Sequence, residues 1–278
     1  MAALGFELVF RFIWGWTLCL FLVDRRETSE RFLKVSFWVV AGIALFDGLM
    51  AESATRAAKL FSIAVLVVGH ALYAFFPGRV FRIAGFIAIV AAPAAILRAR
   101  GLGEMFNFLT ASFLIGAIFM GQFLGHWYLN VPGMNIRELR KVVWAAIVAI
   151  GLKIAENLYT LFIQVGISPR LFATDDMGRP LGIDLSTNHG LESINPTESL
   201  FGMTGDGPFG LGFYGQLILL TRVLWGLLAP VLLIWMIKKT VDIRSTQSAT
   251  GIFYALCVMI LIGEGAALYL MKSLGWLI

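Results

Sequence analysis

Residues 142–165 read VVWAAIVAIGLKIAENLYTLFIQV, and two patterns are superimposed in these 24 residues. The run is long enough to cross about 30 Å of hydrocarbon as a helix, which takes about 20 residues at about 1.5 Å each. Lys153, Glu156, Asn157, Thr160 and Gln164 nevertheless recur at i, i+3, i+4, i+7 and i+11, which is one face of a 3.6-residue helix. A helix that is apolar except for one ionisable stripe belongs in a membrane with that stripe turned toward other protein.

Seven further runs of this kind lie on either side, at 4–23, 35–51, 60–76, 80–97, 105–129, 213–237 and 251–271. Together they predict an all-α fold, a polytopic integral membrane bundle of about eight transmembrane helices formed by residues 1–278 as one domain. The second run is short and carries Asp47, and the fourth contains Pro93, where a kink is expected. With 59% hydrophobic and 14% charged residues and a mean hydropathy of +0.84, the chain has more apolar side chain than a soluble core could bury. No cleavable signal is evident, because the first run is followed by Asp24, Arg25 and Arg26. Cys19 and Cys257 fall inside separate apolar runs and read as core filler.

Charge supplies an orientation. Connections 1, 3, 5 and 7 hold twelve Lys and Arg residues, whereas the other side holds seven, so the positive-inside rule places both termini outside the cytoplasm, in a bacterial inner membrane. The long 166–212 connection has two basic residues against six acidic ones and belongs on the same outer side, where its Gly and Pro content reads as ordered turns or a lid. The net charge of +5 does not imply nucleic acid, because the basic residues are scattered at helix ends; lipid headgroups are the expected partner, together with other membrane-protein subunits. Trp14, Trp16, Trp127, Tyr128 and Trp276 are read as interfacial aromatics.

Seven ionisable residues stand inside the runs: Glu7, Arg11, Asp47, Lys153, Glu156, Arg222 and Glu264. Each costs on the order of 2.5 to 3.5 kcal/mol at bilayer depth, so each must face protein or water. The orientation puts Lys153 near the midplane and the others in the outer half. Glu7 and Arg11, at i and i+4, can pair along one helix. Glu264 lies between Gly263 and Gly265, which lets a neighbouring helix approach, and Arg222 is its natural partner. Lys153 and Glu156 are expected to seek partners on other helices rather than each other. The set reads either as mutual salt bridges fixing the packing or as a path or headgroup site made of Lys153, Glu156, Asn157, Arg222 and Glu264.

His70 and His126 fall at matching depth near the inner face, each preceded by a glycine, and Gly121 with Gly125 makes a small-residue face. The missing side chains leave room for a flat macrocycle or for a neighbouring helix. Two imidazoles at one depth could ligate the iron of a haem b, with Arg79 and Arg137 and their neighbours Arg82 and Arg140 meeting its propionates; structural histidines are the competing reading. His189, near Asp184 and Asn188, reads as a solvated loop histidine. Residues 125–133, GHWYLNVPG, followed by Arg137, Arg140 and Lys141, read as a helix end docked at anionic lipid or a partner subunit, or as a plain turn. No P-loop, dinucleotide fingerprint, zinc-protease helix or nucleophile elbow is present, which disfavours a hydrolase or a nucleotide-driven pump. The expected function is a membrane subunit of a redox assembly, binding haem or quinone; the alternatives are an ion- or proton-coupled carrier of a small solute and a structural subunit of a larger complex.

Overall fold

The computed structural model describes residues 2–25, 27–49, 56–76, 78–93, 102–131, 135–161 and 213–274. The expectations for the 166–212 loop, for His189, Gln164 and Trp276 and for the Pro132–Gly133 turn lie outside these residues.

The described residues are helical, with no strand among them. In chain order the helices are α1 Ala2–Leu20, α2 Glu30–Leu49, α3 Arg56–Phe75, α4 Arg79–Ala91, α5 Leu102–Asn130, α6 Arg137–Leu161, α7 Phe213–Asp242 and α8 Thr246–Leu274. Six of them, α2, α3, α5, α6, α7 and α8, are long and apolar enough to cross a membrane. Their outward faces, with that of α4, carry Trp38, Phe46, Phe61, Val80, Trp144, Leu158, Leu232 and Trp235 in the open, the surface expected of helices that meet lipid rather than water.

The other two helices depart from the simple picture. α4 ends at Ala91, and its 13 residues reach only about 20 Å; residues 94–97 of the fourth run, on the far side of the kink expected at Pro93, lie outside the described residues. Ala92, the residue before Pro93, keeps helical dihedrals (φ −52°, ψ −43°) and donates its N–H to the Ala88 carbonyl. α1 is buried along most of its length and touches α2, α3, α4, α5 and α8. Trp14 and Trp16 are therefore core residues and not interfacial ones. Their indole N–H groups donate to the Ile89 carbonyl and to Ser36 Oγ, each at 2.8 Å, which removes the reason for an indole to seek the headgroup region.

α1 and α5 run in the same direction and form the centre. Gly15 and Gly116 make their approach possible: a Cβ on Gly15 would overlap the Ser112 carbonyl, and one on Gly116 would overlap the backbone of Gly15. Phe12 stacks edge-on against Phe119, and Trp16 packs on Phe123. On the opposite flank of α5, Phe253 and Thr250 of α8 fill the spaces beside Gly121 and Gly125. The small-residue face thus receives a neighbouring helix, the second of the two occupants its sequence allows. α3 and α4 cross in the same way at Gly69 and Gly85.

Hydrogen bonds tie the end of the bundle at which α1 finishes and α6 begins. Buried Glu138 at the start of α6 accepts from the Asp24 backbone N–H at 2.8 Å and pairs with Lys141 at 2.7 Å. Arg25 donates to the Tyr73 carbonyl and the Tyr73 hydroxyl donates to the Val23 carbonyl, both at 2.7 Å, so the α1–α2 connection is clamped to α3. Tyr128 donates to the Asn135 carbonyl and closes the end of α5 on the start of α6.

Gly15→Ala is expected to destabilise the bundle by about 1–3 kcal/mol or more, because α1 and α5 must separate to admit the methyl group. Gly42→Ala, where a Cβ meets open space, is expected to be neutral or to stabilise by about 0.5–1 kcal/mol. Thermal unfolding of the two variants in detergent checks both; equal midpoints would contradict this packing.

Candidate functional site

The polar face of α6 points inward as its spacing requires. Lys153, Glu156, Asn157 and Thr160 are buried, while Gly151 and Leu152 just before them and Ala155, Leu158 and Tyr159 between them are exposed. Four other helices bring polar groups to this face: Arg11 from α1, Asn107 and Thr110 from α5, Arg222 from α7 and Glu264 from α8. Counted along each helix at about 1.5 Å per residue, all of them lie about 8 to 15 Å from the same-side ends of their helices. Lys153, about 12 Å from the end of α6, lies at the same level and meets Glu156 and Glu264 there.

Glu264 is the hub. Its Oε1 accepts from Arg222 Nη1 at 3.0 Å, and its Oε2 lies 3.7 Å from Lys153 Nζ and 4.0 Å from Arg11 Nη1. Three cations thus surround one carboxylate in a site with no solvent contact. Glu156 is the second anchor. Lys153 Nζ lies 2.7 Å from its Oε2, Asn107 Nδ2 donates to its Oε1 at 2.8 Å, and Thr110 Oγ1 donates to its Oε2 at 2.8 Å. Arg11 Nη1 donates to Asn107 Oδ1 at 2.9 Å, which makes Asn107 a relay between α1 and α6. Arg222 Nη2 reaches Asn157 Oδ1 at 3.4 Å. At the rim, Glu7 meets Arg11 and Lys272 at 3.2 Å each, and the Lys272 side chain is 37% exposed.

Two pairings expected from the sequence, Glu7 with Arg11 and Arg222 with Glu264, are therefore present as contacts. One expectation is corrected: Lys153 and Glu156 do pair along their own helix. Positions i and i+3 are neighbours on a helix surface, and the long lysine stem covers the remaining distance.

The local backbone explains why Arg222 reaches its partner. Residues Leu224–Leu228 of α7 are wound as a π-helix, with Ala229 N–H donating to the Leu224 carbonyl. Gly226 lies in this segment, and a side chain there would collide with the Arg222 guanidinium and with Gly263 of α8. One missing Cβ thus clears the path of the arginine and lets α8 dock beside Glu264. Gly265 faces open space instead, so of the two glycines flanking Glu264 only Gly263 makes the close approach. Asn107, Thr110, Lys272 and Gly226 were not singled out by sequence reasoning; Asn107 and Thr110 fall at i and i+3 on one face of α5, the signal available for them.

The histidines have unlike surroundings. His70 is fully buried on α3, its Nδ1 3.3 Å from Thr17 Oγ1 and its ring edge-on to Phe37, while its Nε2 has neither a hydrogen-bond partner nor any exposure. His126 is exposed on α5. α3 packs on α1, α2 and α4, whereas α5 packs on α1, α6 and α8. A haem between two imidazoles needs both rings facing one accessible slot. His70 is enclosed on α3 while His126 is exposed on α5, and the glycine spaces at Gly69, Gly121 and Gly125 are filled by Gly85, Phe253 and Thr250. The two imidazoles thus stand on helices with different main neighbours. Arg79 and Arg137 begin α4 and α6 and are exposed there. No group of three or more metal-ligating side chains occurs among the described residues.

Arg222→Met alone is expected to cost about 3–5 kcal/mol, because it strips Glu264 of its closest cation inside the bundle. The double variant Arg222→Met/Glu264→Leu is expected to lose less than the sum of the two single changes, since no lone charge remains at that pair. Unfolding midpoints of the three variants give the coupling; strict additivity would contradict a direct pair.

No protein-family model, curated protein or solved structure matches this chain.

Proposed function

We propose that the chain is an integral membrane carrier in which the buried ionic cluster couples the movement of a proton or ion to that of a small solute. One observation carries this reading: five helices place ionised or hydrogen-bonding groups in a single net that is closed to lipid and lies toward one end of the bundle. Holding five ionised groups in a membrane costs on the order of 2.5 to 3.5 kcal/mol each before pairing. Neutral Ser, Thr or Asn contacts would hold helices together at less expense, so packing alone is a weak reason for the set. The π-helical segment beside Arg222 supports the same reading, because it gives α7 a place to change its winding while the charges re-pair.

In this proposal all eight helices lie in the bilayer, α4 as a short one and α1 sheltered at the centre. Both termini and the 166–212 connection are on the outer side of a bacterial inner membrane. The Glu7–Lys272 pair at the rim is the outer access point. The redox-subunit reading in its haem form draws no support from the surroundings of His70; in its quinone form the same cluster would steady a headgroup.

Reconstituted in vesicles containing a pH-sensitive dye, the protein is expected to dissipate an imposed proton gradient faster than empty vesicles, and Glu264→Gln is expected to return the rate to the empty-vesicle level. Lys272→Gln, at the exposed rim, is expected to slow it severalfold in a folded protein. A wild-type rate equal to that of empty vesicles would contradict the carrier. A reduced-minus-oxidised absorbance spectrum of the purified chain is expected to be flat; a split b-type α band would reinstate His70 and His126 as haem ligands.

A further inference from the structure

Among the described residues the cluster is not balanced. Arg11, Lys153 and Arg222 stand against Glu156 and Glu264, all of them 0–2% exposed, so three bases less two acids leaves one positive charge. Adding the rim pair, Glu7 and Lys272, leaves that sum unchanged. The hydrogen bonds lean the same way. Arg11 Nε, Arg222 Nε and Asn157 Nδ2 are buried donors without a hydrogen-bond partner, whereas Glu264 Oε2 is the one acceptor of the cluster in that state among the described residues. Water could satisfy these donors, yet it would not offset the charge. A small anion does both. Guanidinium groups favour planar oxygen acceptors, which they can grip through two N–H groups at once.

We propose that the cluster is a binding site for one small monovalent oxyanion of the carboxylate or nitrate type, held by Arg11, Arg222 and Asn157, an inference that rests on the carrier reading and names its solute class. The single excess charge selects a monovalent ion over a divalent one. Lys272 and Glu7 stand at the solvent side of Arg11, so an anion arriving from that rim meets first a partly exposed ammonium and then the buried guanidinium. Asn157 is the informative position, because its Oδ1 already takes a contact from Arg222 while its Nδ2 has no partner. An aspartate there would supply from within the charge that the anion brings from outside.

The test follows the unfolding temperature of the full chain in detergent at constant ionic strength, with potassium gluconate replaced stepwise by formate, nitrate, chloride or sulfate. Formate and nitrate are expected to raise the midpoint with a saturating concentration dependence, chloride less, and bulky gluconate and divalent sulfate not at all. Asn157→Asp is expected to unfold in gluconate at or above the wild-type temperature and to be insensitive to formate and nitrate. A wild-type midpoint that is the same in all five salts would overturn the proposal without any variant, as would an Asn157→Asp protein that responds to formate like wild type. Proton flux that still depends on Glu264, combined with a flat anion series, would remove this inference and leave the carrier standing; loss of both would remove both.

Discussion

An ionised side chain has no stable place among acyl tails, and much of this structure can be traced to that constraint. Arg11, Lys153, Glu156, Arg222 and Glu264 sit on four different helices, each near the same end, and none can reach water. Their only low-energy solution is one another, which requires α1, α6, α7 and α8 to converge and α5 to fill the space between them with Asn107 and Thr110. Adjacency of the helices is thus set by charge as much as by apolar packing, which in lipid distinguishes poorly between one helix face and another.

The glycines serve this convergence. Charged groups pair at about 3 Å only if their backbones come close, and the tightest crossings, Gly15 with Gly116 and Gly226 with Gly263, flank the cluster on either side. Farther along, toward the end at which α1 finishes, the central helices meet through rings, Phe12 on Phe119 and Trp16 on Phe123, and Phe32 of α2 adds a ring against Trp127 of α5. That end is then closed by the bonds around Glu138, Arg25 and Tyr73. The bundle therefore has an ionic end, an aromatic middle and a hydrogen-bonded end. A ring-packed middle resists deformation, whereas a net of charges with spare donors and one 4.0 Å contact has room to rearrange.

Periodicity made the inward face of α6 legible in the residues alone, because four polar side chains on one helical stripe can hardly all meet lipid. The Arg222–Glu264 contact was legible for a related reason: a buried acid beside a glycine needs a base from a helix able to approach. Depth and facing were less accessible. Trp14 and Trp16 looked interfacial by position along their run, but α1 is shielded by five neighbours, and shielding is a property of the whole bundle. His70 and His126 matched in depth along their own helices, which says nothing of azimuth; α3 and α5 turn those positions toward different neighbours. The π-helical turn at Leu224–Leu228 did leave a mark in the sequence: Pro230, just beyond it, has no N–H for the Gly226 carbonyl, and a proline inside a helix is a usual place for the winding to change.

If the buried charges organise this bundle, they must neutralise one another across helix boundaries while the chain sits in lipid. A solid-state NMR distance between the guanidinium nitrogens of Arg222 and the side-chain carboxyl carbon of Glu264 decides this, measured in bilayers on protein labelled at those two residue types with single-site variants for assignment. A strong dipolar coupling matching the 3.0 Å N···O contact is expected. The absence of a coupling in folded protein would mean that the two charges lie apart, and that some other force brings these helices together.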